Sequence, residues 1–409
     1  MTQQAKSGQS SISTSLDRTK MRAILIDLIP PRMRPEQSRE RLRELEELVK
    51  TYGGIVVVKS YQRRSAPHPR TFIGTGKAAE LAEEGKALGA TLLLVNDRLK
   101  PGQIFHLSDA LQPAKIEVWD RIDLILKIFA KHAATTEARL EIELASVRHM
   151  GPRIFGMGME LSRQAGGIGT IGIGETNTEI MKRHLREKER KILERLEQYQ
   201  KVREGHRKNR RRNALSTVSL VGYTNAGKTS LLNALTGRRE YVADKLFATL
   251  DTRVGELYVP TTGKSILISD TIGFIRQLPP ELLHAFRSTL SEVMASDLLL
   301  HVVDISDPLA ASKIRTVRQI LDELGVGGKP CLYVFNKCDS WKKPKDFDGW
   351  LVRLAIEPGV ASFVSASTGE GLDLLTERIG VELSRGKPDV KPDESADLEL
   401  KDIDVQGSL

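Results

Sequence analysis

The chain has 409 residues and a formal net charge of +9, from 62 Lys and Arg against 53 Asp and Glu. This length provides two or three domains with ample core, and the positive charge favours a polyanionic partner. The chain has only two cysteines; they lack metal-ligand spacing, and they indicate a reducing compartment with no disulfide framework. No apolar run approaches the length of a membrane span, so we expect no membrane insertion.

Residues 1–20 are rich in Ser, Gln and Thr without an apolar core, and we expect a flexible leader rather than an export signal. Residues 21–135 alternate strand-like and amphipathic helical runs, which predicts a small α/β domain with a mainly parallel sheet. Gly74-Thr-Gly76-Lys77 lacks the spacing of a phosphate loop and is interpreted as a turn that caps a helix. Predicted strands are 22–28, 54–58, 91–95 and 115–119; predicted helices are 39–51 and 77–88.

Residues 136–213 change to long charged helices around a Gly-rich break. Apolar residues at helical spacing predict helices over about 137–150 and 179–204, which can pair as an antiparallel hairpin. Residues 201–212 carry seven positive charges against one negative. They are either a solvated linker or, as we favour, a contact for RNA phosphates.

The Gly-rich break, residues 166–175, contains a G-x-G-x-x-G spacing at Gly167, Gly169 and Gly172. A dinucleotide site would need a strand before it and a βαβ unit around it, and neither is predicted. The break is either a connector or a segment that orders against a partner. Its interspersed isoleucines favour the second interpretation.

Residues 214–386 contain the strongest motif, which follows an apolar strand-like run and opens a helical one. Its glycines allow backbone N–H groups to point at a β-phosphate, Lys228 adds a full positive charge for catalysis, and the Thr229 hydroxyl is expected to hold Mg²⁺. The predicted nucleotide-binding residues of this loop are Gly222, Tyr223, Thr224, Asn225, Ala226, Gly227, Lys228, Thr229 and Ser230.

Three further motifs follow in the order that a guanine-nucleotide domain requires. Asp270 would reach the Mg²⁺ shell through water, and the Gly273 N–H would meet the γ-phosphate as a catalytic group. Asp339 can accept both N1–H and N2–H of guanine, a donor pair that adenine lacks, while Lys337 can lie over the base. The predicted residues are Asp270, Thr271, Ile272, Gly273, Asn336, Lys337, Asp339, Ser365, Ala366 and Ser367.

The threonine that closes on Mg²⁺ is expected between the phosphate loop and Asp270. We favour Thr249 over Thr252 as this metal ligand and catalytic residue, and we place Phe247 and Ala248 beside it in the nucleotide site. Phe274 occupies the position of the water-orienting glutamine of Ras-like enzymes. Because it cannot bond water, unassisted hydrolysis should be slow, and a partner or ion should complete the site.

Asn225 is a candidate ligand for a second cation. This residue matches an asparagine that binds K⁺ in some GTPases of this broad class. The alternative is a turn asparagine that bonds its own backbone.

Short motifs along the chain carry a family resemblance. They are Phe72-Ile-Gly-Thr-Gly76-Lys77, Asp120-Arg121, Gly166-Gly-Ile-Gly169, Gly222-Tyr-Thr-Asn-Ala-Gly227-Lys228, Leu246-Phe-Ala-Thr-Leu-Asp251 and Asp270-Thr-Ile-Gly-Phe-Ile275. Over residues 21–386 the chain closely resembles the HflX family of ribosome-associated GTPases, which have a hydrophobic residue in place of the catalytic glutamine. Asp251-Thr252-Arg253 departs from the usual Asp-Pro-Thr and leaves the register of the first switch open.

The resemblance implies binding to the large ribosomal subunit and its rRNA, ribosome-stimulated GTPase activity, and splitting or rescue of stalled ribosomes. It also implies that the Gly-rich break reaches the peptidyl-transferase region. We expect a cytoplasmic monomer, with association to ribosomes or the membrane fraction left open. The runner-up is an RNA-remodelling protein with a second nucleotide site in its N-terminal half.

The fold class predicted is α/β: an N-terminal α/β domain with a helical hairpin, followed by a Ras-like P-loop GTPase domain. The predicted cofactors are GTP and Mg²⁺, with K⁺ as an open addition. Residues 387–409 are acidic and contain Pro, and are expected to be disordered.

Overall fold

The computed structural model describes residues 20–164, 177–212, 215–237, 247, 253–276, 287–341 and 347–385. Two compact units divide the chain: residues 1–131 with 149–185, and residues 132–148 with 186–409. The predicted leader, the Gly-rich break, Ala248, Thr249, Thr252 and the acidic tail lie outside the described residues. No helix within the described ranges combines the length and the apolar character that crossing a membrane requires.

The first unit contains a four-stranded, fully parallel sheet, which confirms the predicted α/β domain. Parallel neighbours need crossover connections, and amphipathic helices supply them here. The strands are β1 (Arg22–Ile29), β2 (Ile55–Arg63), β3 (Leu92–Val95) and β4 (Glu117–Asp120), in the spatial order β2-β1-β3-β4. The helices are α1 (Pro35–Tyr52), α2 (Thr75–Leu88), α3 (Pro101–Leu111) and α4 (Arg121–His132).

The turn at Gly74 starts α2, as predicted from the sequence. Gly74 is the N-cap residue, and its backbone N–H donates to the Gln62 side-chain oxygen at 2.8 Å. This segment is therefore a helix start rather than a phosphate loop.

The Asp120-Arg121 motif belongs to a polar network at the carboxyl edge of this sheet. Arg121 is 5% exposed and donates to Asn96 at 2.9 Å and to Glu44 at 2.6 Å. The Asp120 carboxylate accepts from the Leu99 N–H at 3.1 Å. Each buried charge therefore has a partner of opposite charge or a hydrogen-bond donor, which removes most of the cost of burial.

His149 and Arg153 meet Asp120 and Asp123 at the same edge. Arg153 donates to both carboxylates, and His149 Nε2 lies 3.2 Å from the Asp123 carboxylate. Burial lowers the pKa of His149, but hydrogen bonds to Asp120 and Asp123 raise it more, so the net direction is upward. The protonated imidazole is therefore stabilised between two carboxylates.

Two long helices are α5 (Thr136–Gln164) and α6 (Asn177–Arg212). Within the second unit they are antiparallel, because Glu137 pairs with Arg203 at 2.5 Å and Arg148 pairs with Glu189 at 2.7 Å. Both helices are longer than predicted. Pro152 lies inside α5 without ending it, and the basic residues 201–212 continue α6 because Lys and Arg are good helix formers.

The second unit also contains a six-stranded sheet of Ras-like type. Its strands are β5 (Thr217–Gly222), β6 (Arg253–Val259), β7 (Lys264–Asp270), β8 (Leu298–Asp304), β9 (Cys331–Asn336) and β10 (Ala361–Phe363). The order is β10-β9-β8-β5-β7-β6, and only the β6–β7 pair of this sheet is antiparallel among the described strands. The carboxyl ends of β5, β7, β8, β9 and β10 therefore share one edge.

Helices cover this sheet and complete its core. They are α7 (Lys228–Thr236), α8 (Arg287–Ala295), α9 (Ala310–Glu323), α10 (Phe347–Arg353) and α11 (Leu372–Arg385). The central strands β5 and β8 bury apolar residues such as Leu220 and Leu300, both 0% exposed. A dry and rigid sheet positions the loops at its edge.

Candidate nucleotide-binding site

The loop between β5 and α7 has the backbone conformation that its glycines permit. Gly222 has φ +155° and Gly227 has φ +87°. A Cβ at Gly222 would overlap the Val302 carbonyl of β8, and a Cβ at Gly227 would overlap the Asn336 amide. Both positions therefore require glycine for close approach as well as for torsion. Gly227 is also the N-cap of α7, so the loop ends at a helix N-terminus, where backbone N–H groups favour an anion.

Lys228 is almost completely buried at the start of α7. Its ammonium donates to the carbonyls of Tyr223, at 3.0 Å, and Gly222, at 3.3 Å. Burial lowers the pKa of Lys228 to about 8, and the charge of Asp270 opposes that decrease. A phosphate group at this ammonium would favour the charged form further.

The Thr229 hydroxyl donates to the Asp270 carboxylate at 2.6 Å. Asp270 ends β7 and is 0% exposed, while Thr229 is partly buried, so the two oxygens meet in a partly buried site beside the phosphate loop. Hydroxyl and carboxylate oxygens are the hard ligands that Mg²⁺ prefers. The residues present therefore fit a magnesium ion.

The residues after Asp270 turn their side chains inward. The Thr271 hydroxyl donates to the Leu220 carbonyl at 2.6 Å, and Ile272 is 1% exposed. These two predicted site residues can reach a nucleotide only through their backbone. Phe274 is 0% exposed, and the structure thus places it in the core, where it cannot contact a hydrolytic water.

Asn336, at the end of β9, links the phosphate loop to the loop after β10. Its side-chain NH₂ donates to the Ala226 carbonyl at 3.0 Å, and its oxygen accepts from the Ala366 N–H at 3.1 Å. Lys337 has φ +65°, and its ammonium donates to the Asn225 carbonyl at 3.1 Å. Sequence motifs that are separated by more than 100 residues are therefore joined directly.

Asp339 presents an exposed carboxylate on the turn after β9. A hydrogen bond from Ser365 and another from Ser340 lower the pKa of Asp339. The carboxylate is therefore ionised at neutral pH and able to accept two hydrogen bonds. The Ser365 hydroxyl also lies 2.9 Å from that of Ser367, which fixes the adjoining loop.

Two other predicted site residues are described only by their position or exposure. Ser230 lies in the first turn of α7. Phe247 is 2% exposed with φ +58°. Ala248 and Thr249 follow it, outside the described residues.

The sequence did not indicate one residue of the site, Asp304, or one contact made by the predicted residue Tyr223. The Asp304 carboxylate, at the end of β8, accepts from the Lys337 ammonium at 2.6 Å. The sequence did contain an indication of Asp304, because the strand-like run 298–303 is followed by Asp304 in the same way that the run before Asp270 is followed by Asp270. The Tyr223 hydroxyl accepts from the Arg276 N–H at 2.8 Å, a contact that no spacing rule indicates.

Comparison with known proteins agrees with this geometry. Three family models match in succession: a GTP-binding GTPase N-terminal region over residues 39–130, a GTP-binding GTPase middle region over 132–210 and a 50S ribosome-binding GTPase over 217–337. The chain is 43% identical to GTPase HflX of Caldanaerobacter subterraneus subsp. tengcongensis over 371 residues, 90% of this chain and 82% of that protein.

The chain belongs to the HflX family of GTPases. It is also 40% identical to GTPase HflX of Escherichia coli K12 over 363 residues, 88% of this chain and 84% of that protein. A solved structure of SsGBP in complex with GDP is similar at 27% identity and a TM-score of 0.50, covering 90% of this chain and 99% of that one. The HflX-family chain described here is therefore a GTP-binding P-loop GTPase, as its motifs predict.

Proposed function

We propose that this GTPase binds the large ribosomal subunit, is stimulated by it, and splits or rescues stalled ribosomes. The match of residues 217–337 to the 50S ribosome-binding GTPase family carries the proposal. The inward position of Phe274 supports stimulation, because a site without a water-orienting side chain needs a partner to complete it.

Each motif has a proposed task in this reaction. Lys228 and the Gly273 N–H would contact the transferred phosphoryl group, and Asp339 would accept both guanine N–H donors. The Ala366 N–H, which donates to Asn336 in this structure, would have to be shared with or released to guanine O6. The exposed Asp339 carboxylate and the buried Lys228 ammonium support these tasks, since they supply opposite charges to opposite ends of the nucleotide.

Thr229, Asp270 through water, and Thr249 would hold Mg²⁺. When bound, the ion neutralises charge that develops on the phosphate oxygens. The chain itself positions the nucleotide: the phosphate loop fixes the phosphates, and Asn336 holds the base loop against it. Because neither Phe274 nor Ile275, the two residues that follow Gly273, has a side chain that can hydrogen-bond water, we expect slow hydrolysis in the absence of the ribosome.

The end of α6 supplies a candidate RNA contact. Residues 201–212 concentrate positive charge on the helix that precedes the nucleotide-binding unit. Each phosphate that the protein neutralises releases counterions, so binding through this helix should weaken as salt rises. We further propose that residues 166–175 act at the ribosome, and that the protein acts as a cytoplasmic monomer.

Asn225 is a proposed K⁺ ligand, and exchange of potassium for sodium in the GTPase assay tests it. The runner-up, a second nucleotide site in the N-terminal half, is not favoured. Its only candidate loop among the described residues is the helix start at Gly74, whose N–H is already bonded to Gln62.

Sedimentation with purified large subunits tests the proposal. We expect co-sedimentation with a non-hydrolysable GTP analogue to exceed that with GDP, and GTP hydrolysis to rise when subunits are added. Reversing the charges of Arg210, Arg211 and Arg212 should weaken binding and flatten its salt dependence. Equal sedimentation with both nucleotides, together with an unstimulated rate, would refute the ribosome assignment.

A further inference from the structure

The side chain of Tyr223 contacts elements outside the phosphate loop. It is 6% exposed, and the Lys313 ammonium of α9 lies 4.9 Å from the centre of its ring. Its hydroxyl accepts the hydrogen bond from the Arg276 N–H at 2.8 Å. The second residue of the phosphate loop is therefore bonded to the segment that follows Gly273.

Two backbone hydrogen bonds hold the same segment against the phosphate loop. The Phe274 N–H donates to the Gly222 carbonyl at 3.0 Å, and the Thr224 N–H donates to the Phe274 carbonyl at 2.8 Å. Phe274 is also completely buried. The hydroxyl of Tyr223 extends this short parallel bridge by one side-chain bond.

The bridge leaves little room beside Gly273. A Cβ placed on Gly273 would lie 2.9 Å from the Thr224 Cα and 3.1 Å from the Lys228 ammonium. A phosphate oxygen that bonds both Lys228 and the Gly273 N–H needs roughly 2.7–2.9 Å to each donor. Because the space between Gly273 and the Lys228 ammonium is too tight even for one added carbon atom, a γ-phosphate placed between them would require the two to separate, whereas a diphosphate would not enter this space.

We propose that Tyr223 is a positioning residue: its hydroxyl holds residues 273–276 on the phosphate loop and so disfavours GTP relative to GDP. The inference rests on the proposed phosphate contacts of Lys228 and Gly273. A ligand shifts a two-state equilibrium only through its different affinities for the two states. We call the arrangement with residues 273–276 held on the phosphate loop the closed state, and the one with Gly273 and Lys228 apart the open state. GTP binding needs the open state, so every contact that stabilises the closed state weakens GTP binding.

Tyr223→Phe removes the hydroxyl and retains the ring beneath Lys313. The net contribution of one neutral hydrogen bond corresponds to roughly a 2- to 12-fold change in an equilibrium constant. We expect affinity for a non-hydrolysable GTP analogue to increase by that factor. GDP affinity should stay within about twofold of wild type, because GDP binding does not require residues 273–276 to leave the phosphate loop. Tyr258→Phe is the matched control, because Tyr258 lies on β6 and is 59% exposed.

Two measurements test the proposal without ribosomes. Titration with fluorescent GDP and competition with the GTP analogue give the affinity ratio for wild type and both variants. Hydrogen exchange of the nucleotide-free protein gives the exchange rate of the Arg276 amide. This rate should be higher in Tyr223→Phe than in wild type and unchanged in Tyr258→Phe.

An unchanged affinity ratio with unchanged exchange at Arg276 overturns the proposal. An equal loss of affinity for both nucleotides also overturns it, because the hydroxyl then acts on folding alone. The Lys228→Ala variant tests separately whether the phosphate contacts on which the proposal rests are correct. If that variant retains wild-type affinity for the GTP analogue, the roles themselves are wrong, whereas failed ribosome binding leaves both measurements interpretable.

Discussion

Asn336 provides a test of how far the site depends on contacts between its loops. The Asn336→Ala substitution removes the donor to the Ala226 carbonyl and the acceptor for the Ala366 N–H. Ala226 is 2% exposed, so its carbonyl would lose a partner that water cannot easily replace, whereas Ala366 is partly exposed. The two losses should therefore differ in size.

The magnitude follows from these two environments. A buried group left without a partner costs about 1–3 kcal/mol, and a hydrogen bond that water can replace contributes about 0.5–1.5 kcal/mol. The sum is about 1.5–4.5 kcal/mol, shared between folding stability and nucleotide affinity. If half of it affects binding, the dissociation constant rises roughly 3- to 40-fold, at 1.4 kcal/mol for each tenfold change.

The assay is titration with fluorescent GDP and competition with a GTP analogue. We expect both nucleotides to lose affinity by the same factor, because Asn336 joins loops that contact the parts they share. Gln319→Ala is the control, since its amide makes an exposed hydrogen bond to Glu323 on α9. Nucleotide affinity within a factor of two of wild type for Asn336→Ala would refute the argument that this amide couples the loops.

Two further predictions concern charge. Asp339→Asn should shift preference from GTP to xanthosine triphosphate, because it replaces an ionised acceptor of guanine N–H groups by an amide; competition binding checks this, and unchanged GTP preference contradicts it. His149, whose pKa is raised on folding, contributes stability that is complete below its unfolded pKa and is lost as pH rises through the folded value. The measurement is urea unfolding at several pH values, followed by Trp119 fluorescence in a background with Trp341 and Trp350 replaced by Phe. The free energy of unfolding should decline above about pH 6.5 with His149 present and decline less in His149→Gln. Identical dependence of the unfolding free energy on pH in both proteins would exclude the histidine as the cause.

Local sequence patterns were sufficient for much of the fold. Apolar runs that end in a glycine-rich loop, in Asp270 or in the Asn336 motif identified β5, β7 and β9, because in a parallel sheet such runs are buried on both faces. The hairpin helices were also identified from their spacing. Their ends were wrong, since charged residues such as Arg203 can extend a helix when an acidic residue like Glu137 pairs with them.

The parts of the site that sequence analysis missed depend on contacts between distant segments. Asp304 follows a strand pattern like that of Asp270, yet only the order of strands in the sheet places it beside Lys337. Tyr223 gives no local indication of its role. Its hydroxyl meets Arg276 because an isolated parallel bridge between Tyr223 and Phe274 extends the pairing of β5 and β7 beyond the ends of both strands.

That extension also changes how Phe274 is understood. From the sequence alone, the notable property of Phe274 is that it lacks a group that can orient water. In the structure its backbone bonds Gly222 and Thr224 on both sides, and its side chain anchors the segment in the core. A glutamine at this position would be costly to bury without partners. The hydrophobic residue that we expect to slow unassisted hydrolysis therefore also stabilises the closed arrangement that, in our proposal, GTP opens.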